Sequence, residues 1–183
     1  SNKTKDLNEA LREKGPKRPP FSETGVSVAV FFRPDHILSA IKRRVLKASY
    51  VVGNIAWLTN KELLDSLRTR KGVSLIIQHD TRLLRKHRPD YLALPPMDNQ
   101  PVAVRTIKSG TRALAHHKFA VFLDADRKVQ GCLTGSFNWT QQSVHNIEHI
   151  LAFDGATGLG ERFLREHMDT RKISKAVRKT NTK

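Results

Sequence analysis

The chain has 183 residues, enough for one packed core and too few for two comfortable ones. Thirty-three Lys and Arg against 17 Asp and Glu give a net charge of +16, a field that draws polyanions such as nucleic acid or an anionic membrane surface. The single cysteine, Cys132, excludes an internal disulfide framework and argues against a cysteine zinc site, and no apolar run approaches the ~20 residues of a membrane helix.

The charge is not confined to the ends. Residues 1–20 carry +3 and residues 161–183 carry +5, which leaves +8 for the body between. The opening SNKTKDLNEALREKG is polar and does not read as a signal sequence. With the lone cysteine, this fits an intracellular, reducing home of unnamed compartment.

In chain order, Asp6 to Lys14 reads as a short polar helix stopped by Gly15 and Pro16, followed by the linker GPKRPPFSETG. VSVAVFF, Val26 to Phe32, reads as a buried strand. Asp35 caps a helix whose stripe is Ile37, Leu38, Ile41, Val45 and Leu46. Tyr50 to Leu58 is a second strand. Thr59 with Glu62 makes a capping box for a helix carrying Leu63, Leu64 and Leu67, and Val73 to Gln78 is a third strand. This alternation predicts an α/β fold with a mixed, largely parallel β-sheet and helices on both faces.

Thr81 to Pro101 reads as a short helix and a Pro-broken loop, and Val102 to Ile107 as a strand. The basic turn KSGTRA follows. Phe119–Leu123 and Val129–Thr134 are strands around the turn Asp124–Lys128. A helix over 138–145, a strand over 147–153 and a basic helix from Leu159 to about Lys179 complete the chain. The expected organisation is a polar helix and linker (1–20), one catalytic domain (21–158), and a basic helix and tail (159–183).

The stretch AHHKFAVFLDADRKVQGCLTGSFNWT, residues 115–140, concentrates the chemistry. Strand alternation puts His116 and Lys118 on one face and His117 on the other. Ser136 and Asn138 are likewise two apart, after a glycine that lets backbone approach a ligand. If the two strands are neighbours, an imidazole, an ammonium, an amide and a hydroxyl share one face. That set suits a phosphodiester: the cation and amide hold phosphoryl oxygens while the histidine attacks phosphorus. Each residue has a bland alternative when taken singly: a hydrogen-bonded core histidine, a solvated lysine, a serine and asparagine making a turn. Their linkage favours the site. His145, Glu148 and His149 lack a zinc spacing, so no metal is expected. Trp57 reads as core, Trp139 as a core or dimer-contact residue, and Tyr91 either stacks on a base or packs under its loop.

HxK followed by GSxN resembles the signature of the phospholipase D superfamily, and most closely its small single-motif branch. That branch holds bacterial endonucleases and Zucchini-type mitochondrial proteins with nuclease and cardiolipin hydrolase roles. The motif covers about a fifth of this chain. The resemblance implies a phospholipase D-like fold with His116, Lys118, Asn138 and Ser136 as catalytic residues, Glu148 orienting the histidine and Asp124 in support. The pattern departs in two places. Asp124 follows Lys118 after five intervening residues where the family has four, which swaps strand faces unless a bulge intervenes. Glu148 falls a residue short of the family spacing.

What the resemblance further implies is a two-step reaction through a phosphohistidine, without metal or cofactor, at a homodimer interface that pools two copies of His116. It also sets Arg82, Arg85, Lys86 and Arg88 near the cleft as nucleic-acid contacts, with Lys108 and Arg112 in the basic turn that leads to the motif. The expected function is a metal-independent endonuclease on DNA or RNA. The alternatives are a phosphodiesterase acting on an anionic membrane lipid and an inactive nucleic-acid-binding relative.

Overall fold

The computed structural model describes residues 7–14, 19–109 and 113–180. Helix α1 (Leu7–Lys14) precedes strand β1 (Ala29–Phe31), helix α2 (Pro34–Lys47) and β2 (Tyr50–Ile55). Then come α3 (Lys61–Arg68), β3 (Gly72–Gln78), α4 (Thr81–Leu92) and β4 (Val104–Ile107). The hairpin β5 (Lys118–Leu123) and β6 (Val129–Gly135), a 3-10 turn (Gln142–His145), β7 (Ile150–Asp154), α5 (Thr157–Lys172) and β8 (Lys175–Ala176) complete the order.

The eight strands form one sheet in the order β1-β7-β6-β5-β2-β3-β4-β8. The mixed α/β expectation holds, but the sheet is mostly antiparallel. β2–β3 and β3–β4 are parallel, because α3 and α4 are the crossovers that parallel neighbours need. The other pairings, among the described residues, are antiparallel. The tight turn after Leu123 forces β6 back along β5, and β5 enters the sheet reversed against β2.

Several local expectations shift. The apolar run at Val26–Phe32 yields a three-residue edge strand, with Val28, Val30 and Phe32 exposed rather than buried. Pro34 opens α2, and Asp35 lies in its first turn rather than at the cap. Asn60, not Thr59, caps α3, its Oδ1 accepting the Leu63 N–H at 3.1 Å. The region after Thr81 is a full helix that contains Pro89. The segment expected as a helix over 138–145 is one 3-10 turn, and the terminal helix stops at Lys172 so that β8 can pair with β4. Among the described residues, no helix is long and apolar enough to cross a membrane.

Apolar side chains fill both faces of the sheet. On one face α2, α3 and α4 cover Val51, Ile55, Ile77, Ala120 and Leu133. On the other, Leu159, Phe163 and Leu164 of α5 cover Val52, Phe119, Val121 and Cys132. Cys132 is fully buried, and burial pushes its thiol up to about 12, so it acts as a small hydrophobe. Arg44 of α2 forks onto Asp154 at the end of β7, with N–O distances of 2.9 and 2.6 Å.

One polar network locks α5 onto the sheet. Buried His167 faces the Gly53 carbonyl (3.1 Å) and Asn54 Oδ1 (2.8 Å) with Nδ1, which therefore carries the proton. Ser74 donates its hydroxyl to Nε2 at 2.9 Å. Burial pushes the His167 pKa down to about 3, with the Arg171 cation adding to the shift. The unfolded chain takes up this proton near pH 6.5 and the folded protein does not, so stability is lost as the pH falls from about 6.5 towards 3. The unfolding free energy measured by urea titration is expected to fall, below about pH 6.5, by up to ~1.4 kcal/mol per pH unit. In His167→Asn that decline flattens between about pH 6.5 and 4.5, leaving the smaller slope from His116, whose pKa is also lowered.

Candidate active site

The two halves of the motif meet at one end of the sheet. β2, β3 and β4 run towards that end, β5 starts there and β6 finishes there. Lys118 pairs with Ile55, and Phe119 pairs with Thr134, so Gly135 lies beside Lys118 across the hairpin. This is the carboxyl end of the parallel strands, where open α/β sheets build ligand crevices.

Lys118 donates its ammonium to the His116 carbonyl at 2.9 Å, which folds the lysine back over the chain that carries the histidine. Ser136 donates its hydroxyl to Glu148, and the His149 N–H donates to Ser136 Oγ at 3.1 Å. Asn146 donates its side-chain amide to the other carboxylate oxygen at 3.2 Å. Glu148 is thus fixed by two side chains, and its charge reaches Lys118. Asn138 is half-buried with Oδ1 shielded from solvent and without a partner. An amide in that state is prepared to meet a ligand or a second chain.

Charge and burial tune the pair. Burial lowers the His116 pKa, and the nearby Lys118 and His117 lower it further, so the neutral imidazole is favoured at pH 7. Burial also lowers the Lys118 pKa, while Glu148 acts in the opposite sense. The ring of Trp57 meets His116 edge-on, with centroids 5.5 Å apart, and restrains the imidazole. Sequence reasoning took Trp57 for core. It is half-buried at the site, whereas Trp139 is fully buried as expected.

Gln78 is a second residue that sequence reading missed. Its Oε1 accepts the Ala115 N–H at 2.7 Å and its Nε2 donates to Ser109 Oγ at 2.9 Å, which anchors the segment leading to His116. An amide at the end of an apolar strand was the signal. A cleft of about 750 Å³ opens beside His116 and His117, lined by Leu7 and Leu11 of α1 and by Ile107 and Ile173.

Other expected residues are placed elsewhere. Asp124 stands just past the opposite end of β5, about 20 Å of strand from Lys118. Its Oδ1 accepts the Asp126 and Lys128 N–H groups at 2.9 Å each, so it shapes the hairpin turn. A register shift does occur between Phe122 and Leu123, yet it does not bring Asp124 to the histidine. His117 faces α5 and contacts Glu166 at 3.1 Å. Tyr91 is buried, and its hydroxyl donates to the Leu58 carbonyl at 2.7 Å, which settles it as packing. Arg82, Arg85 and Lys86 are exposed on α4, Arg88 is half-buried there, and Lys108 is exposed after β4. Arg112 lies outside the described residues. Among the described residues, no group of three or more His, Cys, Asp or Glu is arranged to hold a metal ion.

No protein-family model matches the chain. An uncharacterized protein of Acanthamoeba polyphaga mimivirus is 27% identical over 146 residues, covering 57% of this chain and 52% of that protein. The chain therefore spans about half the length of the curated relative it matches. Among solved structures, Nuc of Salmonella typhimurium, a phospholipase D family member, aligns with a TM-score of 0.63 at 19% identity, over 82% of this chain and 97% of its own. NucT of Helicobacter pylori gives a TM-score of 0.63 at 16% identity, over 82% and 99%. Polyphosphate kinase of Porphyromonas gingivalis aligns at 0.51 and 13% identity, over 78% of this chain and 26% of its own. The chain has the phospholipase D fold that its two-part motif implied.

Gly135 tests how the site is held. A Cβ there would stand 2.7 Å from Ile150 Cα, against backbone that cannot yield without parting β6 from β7. Gly135→Ala is expected to lower the melting temperature and to displace Ser136 from Glu148. Chemical-shift changes at Ser136, Asn146 and His149, with α5 unaffected, are the measurement.

Proposed function

We propose that this protein is a phosphodiesterase that cleaves nucleic acid through a phosphohistidine on His116. The observation that carries the reading is a neutral imidazole beside a partly desolvated ammonium, with Ser136, Glu148 and Asn138 on the neighbouring strand's exit. His116 attacks phosphorus and forms an N–P bond as the bond to the leaving oxygen breaks. Lys118 and the Nδ2 amide of Asn138 donate to the non-bridging oxygens and stabilise their charge. Glu148, held by Ser136, keeps Lys118 charged and in place. The leaving oxygen takes a proton from a second imidazole, which then takes a proton from the water that releases the phosphoryl group.

His116 of a second copy supplies that imidazole. Large apolar side chains are exposed at the rim of the site: Ile147 is 98% exposed, one residue before Glu148, and Leu114 is 53% exposed, two before His116. Such residues favour burial against another protein surface. The net charge of +16 supports a long polyanion as substrate. A second reading, a phospholipid diester, draws on the apolar lining of the cleft beside His116.

With labelled DNA, RNA and anionic liposomes offered in the presence of EDTA, cleavage of a nucleic acid is expected, and headgroup release would select the lipid reading instead. His116→Ala is expected to abolish cleavage and the covalent phosphoprotein seen after rapid quench. Turnover in that variant, or dependence on added metal, would remove the assignment. Ile147→Asp is expected to convert a dimer to a monomer in sedimentation and to lose activity while keeping its melting temperature within about 2 °C.

A further inference from the structure

At the β8 end of the sheet, cations gather from three separate stretches of chain. Arg105 on β4 stands opposite Ala176 of β8. Its Nε donates to Ser174 Oγ at 2.7 Å and an Nη donates to the Ser174 carbonyl at 2.8 Å. The Ser174 hydroxyl donates to the Arg171 carbonyl at 2.7 Å, which ties the end of α5 to the same spot. Arg171 Nε is shielded from solvent without a partner. Beyond Ala176, alternation sends Arg178 to the Arg105 face and Lys179 to the other. Burial of Val177 in the core under α4 agrees with that alternation. On its own face Lys179 joins Arg85, Arg88 and His79 around a cleft of about 470 Å³, and Arg88 Nε is also shielded without a partner.

Among the described residues, none of Arg85, Arg88, Arg105, Arg171, Arg178 and Lys179 is paired with a carboxylate. The cations on the Arg105 face feel one another: after burial, Arg171 and Arg178 are what lower the Arg105 pKa. Gathered like charges without a counter-charge are relieved by an anion. Among the described residues, β4, β8 and the chain that follows carry no large exposed apolar side chain, and α5 adds one exposed methionine, Met168, a turn before Arg171. A cationic edge with so little apolar surface suits a hydrated sugar–phosphate backbone better than a bilayer. The edge is also within reach of the site. β8 lies four strand spacings from β5, about 19 Å, a span of a few nucleotides.

We propose that the β8 edge is a docking track for a nucleic-acid backbone. Arg178 with Arg105 and Arg171 takes one phosphate, and Lys179 with Arg85 and Arg88 takes another. The track rests on the reading that the substrate is a nucleic acid, and its test separates the two. Binding is read by fluorescence anisotropy with labelled oligodeoxythymidylate of about 20 nucleotides, in a His116→Ala background that prevents cutting. Arg178→Gln/Lys179→Gln removes two exposed charges after the last strand. Arg43→Gln/Lys47→Gln removes two exposed charges from α2 as the control.

The edge variant is expected to weaken binding about tenfold and to reduce the slope of log affinity against log salt by about 1.4, with the control changing affinity less than about twofold. Equal losses in both variants overturn the track, as does absence of binding by the parent protein. Retained oligonucleotide affinity with lost binding to phosphatidylglycerol vesicles overturns it in favour of a membrane edge. Hydrolysis of bis-p-nitrophenyl phosphate, with His116 intact, is expected to be unchanged in the edge variant. A matching loss there overturns the track by making the tail part of the reaction centre. If the parent protein binds through the edge yet hydrolyses no phosphodiester, the track stands and the proposed activity fails.

Discussion

The structure depends on where β5 is inserted. It lies between β2 and β6, antiparallel to both, with Lys118 beside Ile55 at its first residue. Below that residue the strand is fully apolar and buried on both faces. The ammonium therefore sits where water is partly excluded, and its charge must be met locally. Glu148 meets it from the β6–β7 connection, and Ser136 and Asn146 in turn hold Glu148. Under the proposed function, a lysine in this position binds an incoming phosphate more strongly than one on an open surface, because less water has to be displaced and the local dielectric is lower.

The same insertion separates two kinds of positive charge. At the site, cationic neighbours and burial keep His116 neutral, so the cation there is Lys118. At the β8 edge the cations are mostly arginines, planar and always charged, with Lys179 beside them, held against Ser174 or gathered around a cleft without acids. Under the proposed function, the titrating group is the nucleophile and the permanent charges are the grip. Their separation lets a strand be held without adding to the cations that already disfavour protonation of His116. Long-range field and local pKa would otherwise work against each other, since every cation placed near His116 makes a protonated acid harder to form.

The sequence was legible where chemistry and periodicity coincide. HxK and GSxN are dense enough to name the fold, and Ile37, Ile41 and Val45 of α2 and the leucines of α3 give the buried faces directly, although Leu46, expected in the α2 stripe, is exposed. Strand direction was not legible, because an apolar run reads alike whether its neighbour is parallel or antiparallel. β8 was hidden for another reason: Lys175 and Ala176 carry no strand signal, and pairing with β4 creates the strand. Val26 to Phe32 erred in the opposite sense, with the composition of a core strand at a sheet edge. Trp57 and Trp139 cannot be told apart by type. The first ends up against His116, and the second is drawn into the core, where its carbonyl accepts the Thr59 and Asn60 N–H groups at 2.8 and 2.9 Å. Asp124 shows the limit of motif transfer, since one extra residue made it a turn former bonded to its own hairpin.

Under the proposed assembly, two identical chains must perform unlike roles, and the burial and charge around each His116 bear on how they divide them. Each His116 is biased towards the neutral form by burial, Lys118 and His117. Two such imidazoles facing one another across a two-fold axis both lack the proton that the leaving group needs. A phosphodiester arriving between them brings a negative charge, which offsets the lysines and raises the affinity of one imidazole for a proton. Once one ring is protonated, repulsion holds the other neutral. The substrate therefore supplies the asymmetry, and the direction in which the strand lies decides which copy attacks. A track at the β8 edge, repeated in each protomer, would fix that direction before the chemistry begins.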